Sequence, residues 1–226
     1  MTGNKLKWIA IVTMAIDHTA CVLVPHGDPL YTVMRMIGRL AFPIFCFLIS
    51  EGVYHTKNRG KYLFRMGLFA LLSEIPFDLA FHGKLFEKSG QNVFFTLALG
   101  VLGLMLYDYF YKVIRFGALA FPALCMLLAS CIHTDYGALG VLMITVCYLL
   151  RPKKYIQLAG VFVTNVALSL WYKRDIQLFA CAALIPIALY NGKRGKVSTF
   201  GQYFFYGFYP LHLLLIWGVL RLFTHG

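Results

Sequence analysis

The sequence predicts an all-α helix bundle set in a membrane, on three observations. Hydrophobic residues make up 60% of the 226 and charged residues only 13%, with a mean hydropathy of +0.70, outside the usual range of soluble domains this long. Apolar runs of about 17 to 25 residues, the length that crosses hydrocarbon, recur along the whole chain. The 21 Lys and Arg residues collect largely in short clusters between those runs, where they set membrane orientation. No polar block is long enough for a soluble domain, so residues 1–226 read as one polytopic transmembrane domain without linkers, repeats or low-complexity tails.

Nine spanning helices are expected, in this order. The first, 6–24, follows Lys5 and Lys7 and mimics a secretory signal. Asp17 and His18 interrupt its apolar region, however, and no clear small-residue cleavage site follows, so it reads as a retained span. The second, 31–53, carries Arg35 and Arg39 four residues apart on one face. The third, 61–82, displays Glu74 and Asp78 in the same way; Pro76 between them removes the backbone bond to Leu72, which kinks the helix and frees a carbonyl. The fourth, 92–111, begins with Gln91 and Asn92 at a membrane boundary, the fifth covers 114–132, and Asp135 caps the sixth, 136–150. The seventh and eighth are 155–171 and 175–190; the sixth to eighth are all short, and Trp171 and Tyr172 read as interfacial anchors, as does Trp8. The ninth, 203–222, contains His212.

An N-terminus in the cytoplasm puts thirteen Lys and Arg on the inner side, at Lys5, Lys7, 57–61, 112–115, 151–154 and 193–196, against five outside. That excess favours the N-in orientation and a multi-pass protein of a bacterial cytoplasmic membrane. The net charge of +12 therefore argues for topology, and nucleic acid is not an expected partner. Six cysteines without CxxC spacing read as small hydrophobes, and no metal-ligand pattern, GxSxG or Walker A motif occurs.

An ionisable group inside hydrocarbon costs several kcal/mol near the bilayer centre and is functional by default. Depths estimated at about 1.5 Å per residue place His18 about 18 Å from the inner boundary and Arg39 about 13 Å below the outer one. Glu74 is level with both, and Asp78 is a turn further out. Such groups are expected to face one another around a hydrated cavity. Lys7 lies eleven residues before His18, on nearly the same face and about 16 Å away. That spacing fits a long substrate with an anionic end at Lys7 and a reactive end at His18, the shape of coenzyme A.

The K-x10-H spacing in the first span resembles the R-x10-H signature of acyltransferase-3 membrane proteins, with Lys7 in place of the arginine. More specifically, GRLAFPIFCFLISEGVYHT (38–56), LLSEIPFDLAF (71–81), QNVFFTLALG (91–100) and YPLHLLL (209–215) resemble the blocks of the TraX family. That family is named for the protein that acetylates the pilin N-terminus in conjugative plasmids. The resemblance runs from residue 6 to about 216 and implies a transferase that carries acetyl from cytoplasmic acetyl-CoA to an acceptor on the far side: a peptide or pilin N-terminus, a glycan or a small amine.

Within that reading His18 is the expected general base, because an imidazole with an unperturbed pKa of about 6.5 can take a proton from an amine or hydroxyl. Asp17 belongs to the same catalytic group but points about 100° from His18, so Glu74 or Asp78 is the expected orienting acid. Arg39 and Arg35 are expected to hold the thioester oxyanion or the acceptor. Lys7, Lys57, Arg59 and Lys61 form a basic collar for the CoA phosphates, with Arg35 and His212 further along the donor path. Gln91, Asn92 and Asp135 are expected on the acceptor side. Two alternatives stand beside these: Arg35, Arg39, Glu74 and Asp78 also suit internal ion pairs that fix packing, and intramembrane acids with a proline-broken helix also suit a proton-coupled transporter of a small solute.

Overall fold

A computed structural model describes residues 1–196 and 199–225 and is 81% helix, without strands among the described residues. Among the described residues ten α-helices follow one another: α1 (Gly3–Leu23), α2 (Pro29–Gly38), α3 (Ala41–His55), α4 (Arg59–His82), α5 (Val93–Ile114), α6 (Ala120–Cys131), α7 (Gly137–Leu149), α8 (Lys154–Tyr172), α9 (Leu184–Ala188) and α10 (Thr199–His225). Two 3-10 segments, Arg115–Leu119 and Asp175–Ala183, lead into α6 and α9. Among the described residues five stretches are long and apolar enough to cross a membrane: Gly3–Leu23, Pro29–His55, Val93–Cys131, Lys154–Tyr172 and Tyr203–Phe223. The 24-residue α4, which carries Arg65, Glu74 and Asp78, is not one of them.

Prolines account for where the helices break. The expected second helix divides at Arg39–Leu40: Pro43 has no N–H to give the Arg39 carbonyl, and at the break Leu40 N–H makes a 3-10 type bond to Ile37 O at 3.3 Å. Pro122 and Pro186 likewise withdraw donors from Ala118 and Ala182, and the 3-10 segments end there. Residues 175–190, expected as one helix, are therefore a nine-residue 3-10 segment followed by the short α9. Caps set other starts: Thr2, Asp28, Asn58 and Asn92 each accept a backbone N–H within the first turn of α1, α2, α4 and α5.

α1 packs against α2, α3 and α10, α4 against α5 and α10, and α5 against α6 and α7. The core between them is apolar, with Leu6, Ile44, Val53, Leu104, Met143 and Leu213 fully buried. At one end of the bundle, Gly3 and Asn4 donate to the carbonyls of Lys193 and Arg194 at 2.9 Å. There Arg59 Nη1 binds Asp108 at 2.5 Å, Tyr148 donates to the same carboxylate, and Arg151 lies 3.0 Å over the Tyr54 ring. Clusters 57–61, 112–115, 151–154 and 193–196 thus share an end with Lys5 and Lys7. At the opposite end Gln91 and Thr134 form a backbone bridge: Gln91 N–H donates to His133 O and Asp135 N–H to Gln91 O, both at 2.9 Å.

Candidate active site

His18 and His212 meet between α1 and α10, and their hydrogen bonds fix both tautomers. His212 Nδ1 lies 2.8 Å from the Phe208 carbonyl, which can only accept, so Nδ1 carries the proton and Nε2 a lone pair. His18 Nδ1 is 2.8 Å from that Nε2 and must be its donor. The lone pair of neutral His18 is consequently on Nε2, away from the dyad. The two rings are parallel to within 10°, and Phe81 and Tyr209 stand edge-on to His18 at 5.3 and 5.8 Å.

One residue earlier on α1, Asp17 turns the other way, as helical phase requires. Its carboxylate takes Arg35 Nη1 at 2.6 Å and Arg39 Nη2 at 2.7 Å on both oxygens, with all three side chains 12% exposed or less. Arg35 also reaches the Cys21 sulfur, and Arg39 Nη1 reaches Tyr136 Oη at 3.2 Å and Gln177 Oε1 at 3.4 Å. Gly38 makes the clamp possible: a Cβ there would fall inside the Asp17 carboxyl group. Tyr136 adopts a left-handed φ of 62°, a costly conformation outside glycine. It stacks its ring on Phe42 at 3.5 Å and offers its hydroxyl to Arg39.

Glu74 and Asp78 lie elsewhere. Glu74 accepts from the fully buried Asn92, whose Nδ2 also bonds Ala70 O at 2.8 Å and whose Oδ1 caps α5 at Phe94 N. Asp78, 1% exposed, accepts from Glu87 N–H at 2.8 Å and sits 3.4 Å from His82. The two acids therefore tether the 83–92 loop, and His212 takes the orienting place expected of them. The Lys84 ammonium, hydrogen-bonded to Glu87, holds that half-buried loop carboxyl down at about 2. Gln91 and Asp135 join the 83–92 loop to the 132–136 loop through backbone bonds, and the Asp135 carboxyl is close enough to Arg39 and Tyr136 to interact with them electrostatically.

A cavity of about 530 Å³ opens at the basic end, between α1, α3, α4 and α10. Lys7, Lys57, Arg65 and Arg194 line it against a single carboxylate, Glu51, and among the described residues no acid lies within ion-pair distance of those four cations. Arg65 Nε is buried without a hydrogen-bond partner, and its guanidinium lies 5.9 Å over Tyr206. The cavity runs inward past Met66 and Phe94 to Met14, one turn before His18, and to Tyr209. Arg59 and Lys61, expected in the basic collar, do not line it: Arg59 is held by Asp108 and Val53 O, and Lys61 is exposed. Arg35 and His212 do not line it either. A second pocket of about 460 Å³ approaches from the opposite side, lined by Cys21, Phe81, Trp217 and Arg221 among others. The histidine dyad lies between the aromatic walls of the two, Tyr209 on one side and Phe81 on the other.

A family model described as TraX protein matches residues 2–220. The chain belongs to the TraX family. Across 94% of its length it is 31% identical to the "Probable fimbrial assembly protein FimC, serogroup H1" of Dichelobacter nodosus, 93% of which is covered. A 51-residue segment, 23% of the chain, is 41% identical to the uncharacterized protein RP591 of Rickettsia prowazekii (strain Madrid E), covering 19% of that protein. No solved structure matches the chain. Several residues that shape this TraX site carried no assignment from sequence. Tyr209 precedes His212 by three residues, a spacing that puts both on one helix face. Arg194 and Gln177 gave no such signal, since both reach the site only through tertiary packing.

Proposed function

We propose that this TraX-family protein is an acetyl-CoA-dependent transmembrane acetyltransferase, with His18 as general base and its N-terminus in the cytoplasm of a bacterial cell. The observation that carries the reading is the path from the basic cavity to Tyr209, whose ring abuts the His18–His212 dyad. Four cations facing one carboxylate suit a polyanion, and Arg65 and Arg194 can grip phosphates through charge-assisted bonds. Lys7 lines the same cavity, its ammonium 5.3 Å over Phe205, and the cavity follows α1 from Lys7 to Met14, one turn short of His18. The aromatic and methionine lining deeper in accommodates a narrow arm. The second pocket gives an acceptor amine or hydroxyl an approach from the opposite side.

In the chemistry this implies, the acceptor nitrogen or oxygen adds to the thioester carbon as His18 Nε2 takes its proton. Collapse breaks the C–S bond, and the proton passes from His18 to the departing sulfur. His212 keeps the His18 proton on Nδ1, so that Nε2 is the basic atom throughout. The thirteen basic residues at the cavity's end accord with a cytoplasmic mouth, and the apolar helices with up to nine crossings. The test is acetyl-CoA consumption by the purified protein in lipid nanodiscs, with CoA binding followed by calorimetry. His18→Ala should bind CoA and fold normally yet lose turnover. Equal turnover in that variant removes the base assignment, and a wild type that neither binds CoA nor consumes acetyl-CoA returns the transporter reading.

A further inference from the structure

The arginines expected to stabilise an oxyanion are held elsewhere: Arg35 Nη1 binds Asp17 and Cys21, and both terminal nitrogens of Arg39 bind Asp17, Tyr136 and Gln177, with Arg39 Nε buried and unpartnered. Acyl transfer still needs a donor aimed at the carbonyl oxygen, since that stabilisation is commonly the largest single contribution to the rate. Tyr209 stands at the required place. It lines the inner end of the basic cavity, is 3% exposed, and holds its ring edge-on to both His18 (5.8 Å) and His212 (5.6 Å). Val93 lines the same cavity, and its backbone N–H lies near the Tyr209 hydroxyl. Val93 is the first residue of the 22-residue α5, where helical N–H groups lack internal partners and the helix dipole is positive. A phenol that accepts such a bond retains its own O–H to donate, and its polarisation makes it a better donor.

We propose that the Tyr209 hydroxyl is the hydrogen-bond donor to the oxyanion that forms when the acceptor adds to the thioester carbonyl in this cavity. The inference rests on the acyltransferase reading above. Tyr209 transfers no proton: electrons move from the C=O bond to oxygen on addition and return on collapse, while the phenolic hydrogen stays on Tyr209. The edge-on packing aligns the rings so that base and donor belong to one site, with His18 Nε2 serving the nucleophile and Tyr209 the carbonyl oxygen.

Tyr209→Phe removes the hydroxyl and keeps the ring. It should lower kcat by about a hundredfold to a thousandfold, the usual cost of one oxyanion donor, with the KM for acetyl-CoA unchanged. A kcat within about threefold of wild type at the same KM would mean that Tyr209 only packs, and would leave the acyltransferase reading standing. Absence of acetyl-CoA consumption by the wild type would overturn that reading and this donor with it. Should Tyr209→Phe fail to fold, 3,5-difluorotyrosine incorporated at 209 decides the matter: a more acidic phenol raises kcat if it donates to the oxyanion, and an unchanged kcat overturns the role.

Discussion

Replacing Asp17 with asparagine probes the arginine clamp with almost no change of shape. Asp17 receives three charge-assisted bonds of 2.6–2.7 Å, one from Arg35 and two from Arg39, in a site where the guanidinium side chains are only 11–12% exposed. Asp17→Asn withdraws the negative charge and leaves two buried cations facing each other. Removing one partner of a buried ion pair costs about 3–5 kcal/mol; because the remaining amide oxygen still accepts one bond, the lower figure applies. For a chain of this size each kcal/mol moves Tm by about 2–4 °C, which gives a fall of about 6–12 °C. Thermal unfolding in nanodiscs at one fixed scan rate measures it. The double variant Asp17→Asn/Arg35→Gln removes one of the stranded cations and should recover part of the loss, a coupling expected only of residues in contact. If Asp17→Asn melts within about 2 °C of wild type, the clamp does not hold α1 against α2 and the packing argument built on Gly38 fails.

Two other perturbations separate orientation from donor binding. His212→Ala leaves the His18 Nδ1–H without its acceptor at 2.8 Å and frees the tautomer; kcat should drop by about a hundredfold or more, with KM for acetyl-CoA unchanged, in a steady-state thiol-release assay. Arg65→Gln or Arg194→Gln should each raise that KM about tenfold by removing a charge-assisted phosphate contact. Arg59→Gln, whose guanidinium is held by Asp108, should lower Tm and leave KM alone.

What could be read in advance follows from which forces act locally. Apolar length and basic clusters report the membrane environment residue by residue, so the helical class and the grouping of the basic loops at one end were visible. Helical phase was also legible. It placed Arg35 with Arg39 and turned Asp17 away from His18, and both appear in the clamp. It could not say which helix faces which. Glu74 and Asp78 were paired with His18 by depth alone, yet depth fixes only one coordinate, and rotation of α4 directs both acids to the 83–92 loop. The same ambiguity hid Arg194, which enters the cavity because residues 193–194 bond back to the chain at Gly3 and Asn4.

The placement of the acids bears on the rival transporter reading through proton chemistry. A proton-coupled carrier needs a carboxylate that changes partners as it crosses between two faces. Here Asp17 is locked by two guanidinium groups, while Glu74 and Asp78 hold a loop through Asn92 and the Glu87 backbone. The dyad differs from all of these: its proton positions are set by the Phe208 carbonyl, and its two flanking pockets open toward opposite ends. Acids fixed in an ion-pair clamp and a loop tether, apart from the histidine dyad, suit a site that stays still while substrates arrive from both sides. The arrangement therefore predicts that a cross-link between Asp17-bearing α1 and α2, which would arrest a rocking carrier, leaves acetyl transfer intact.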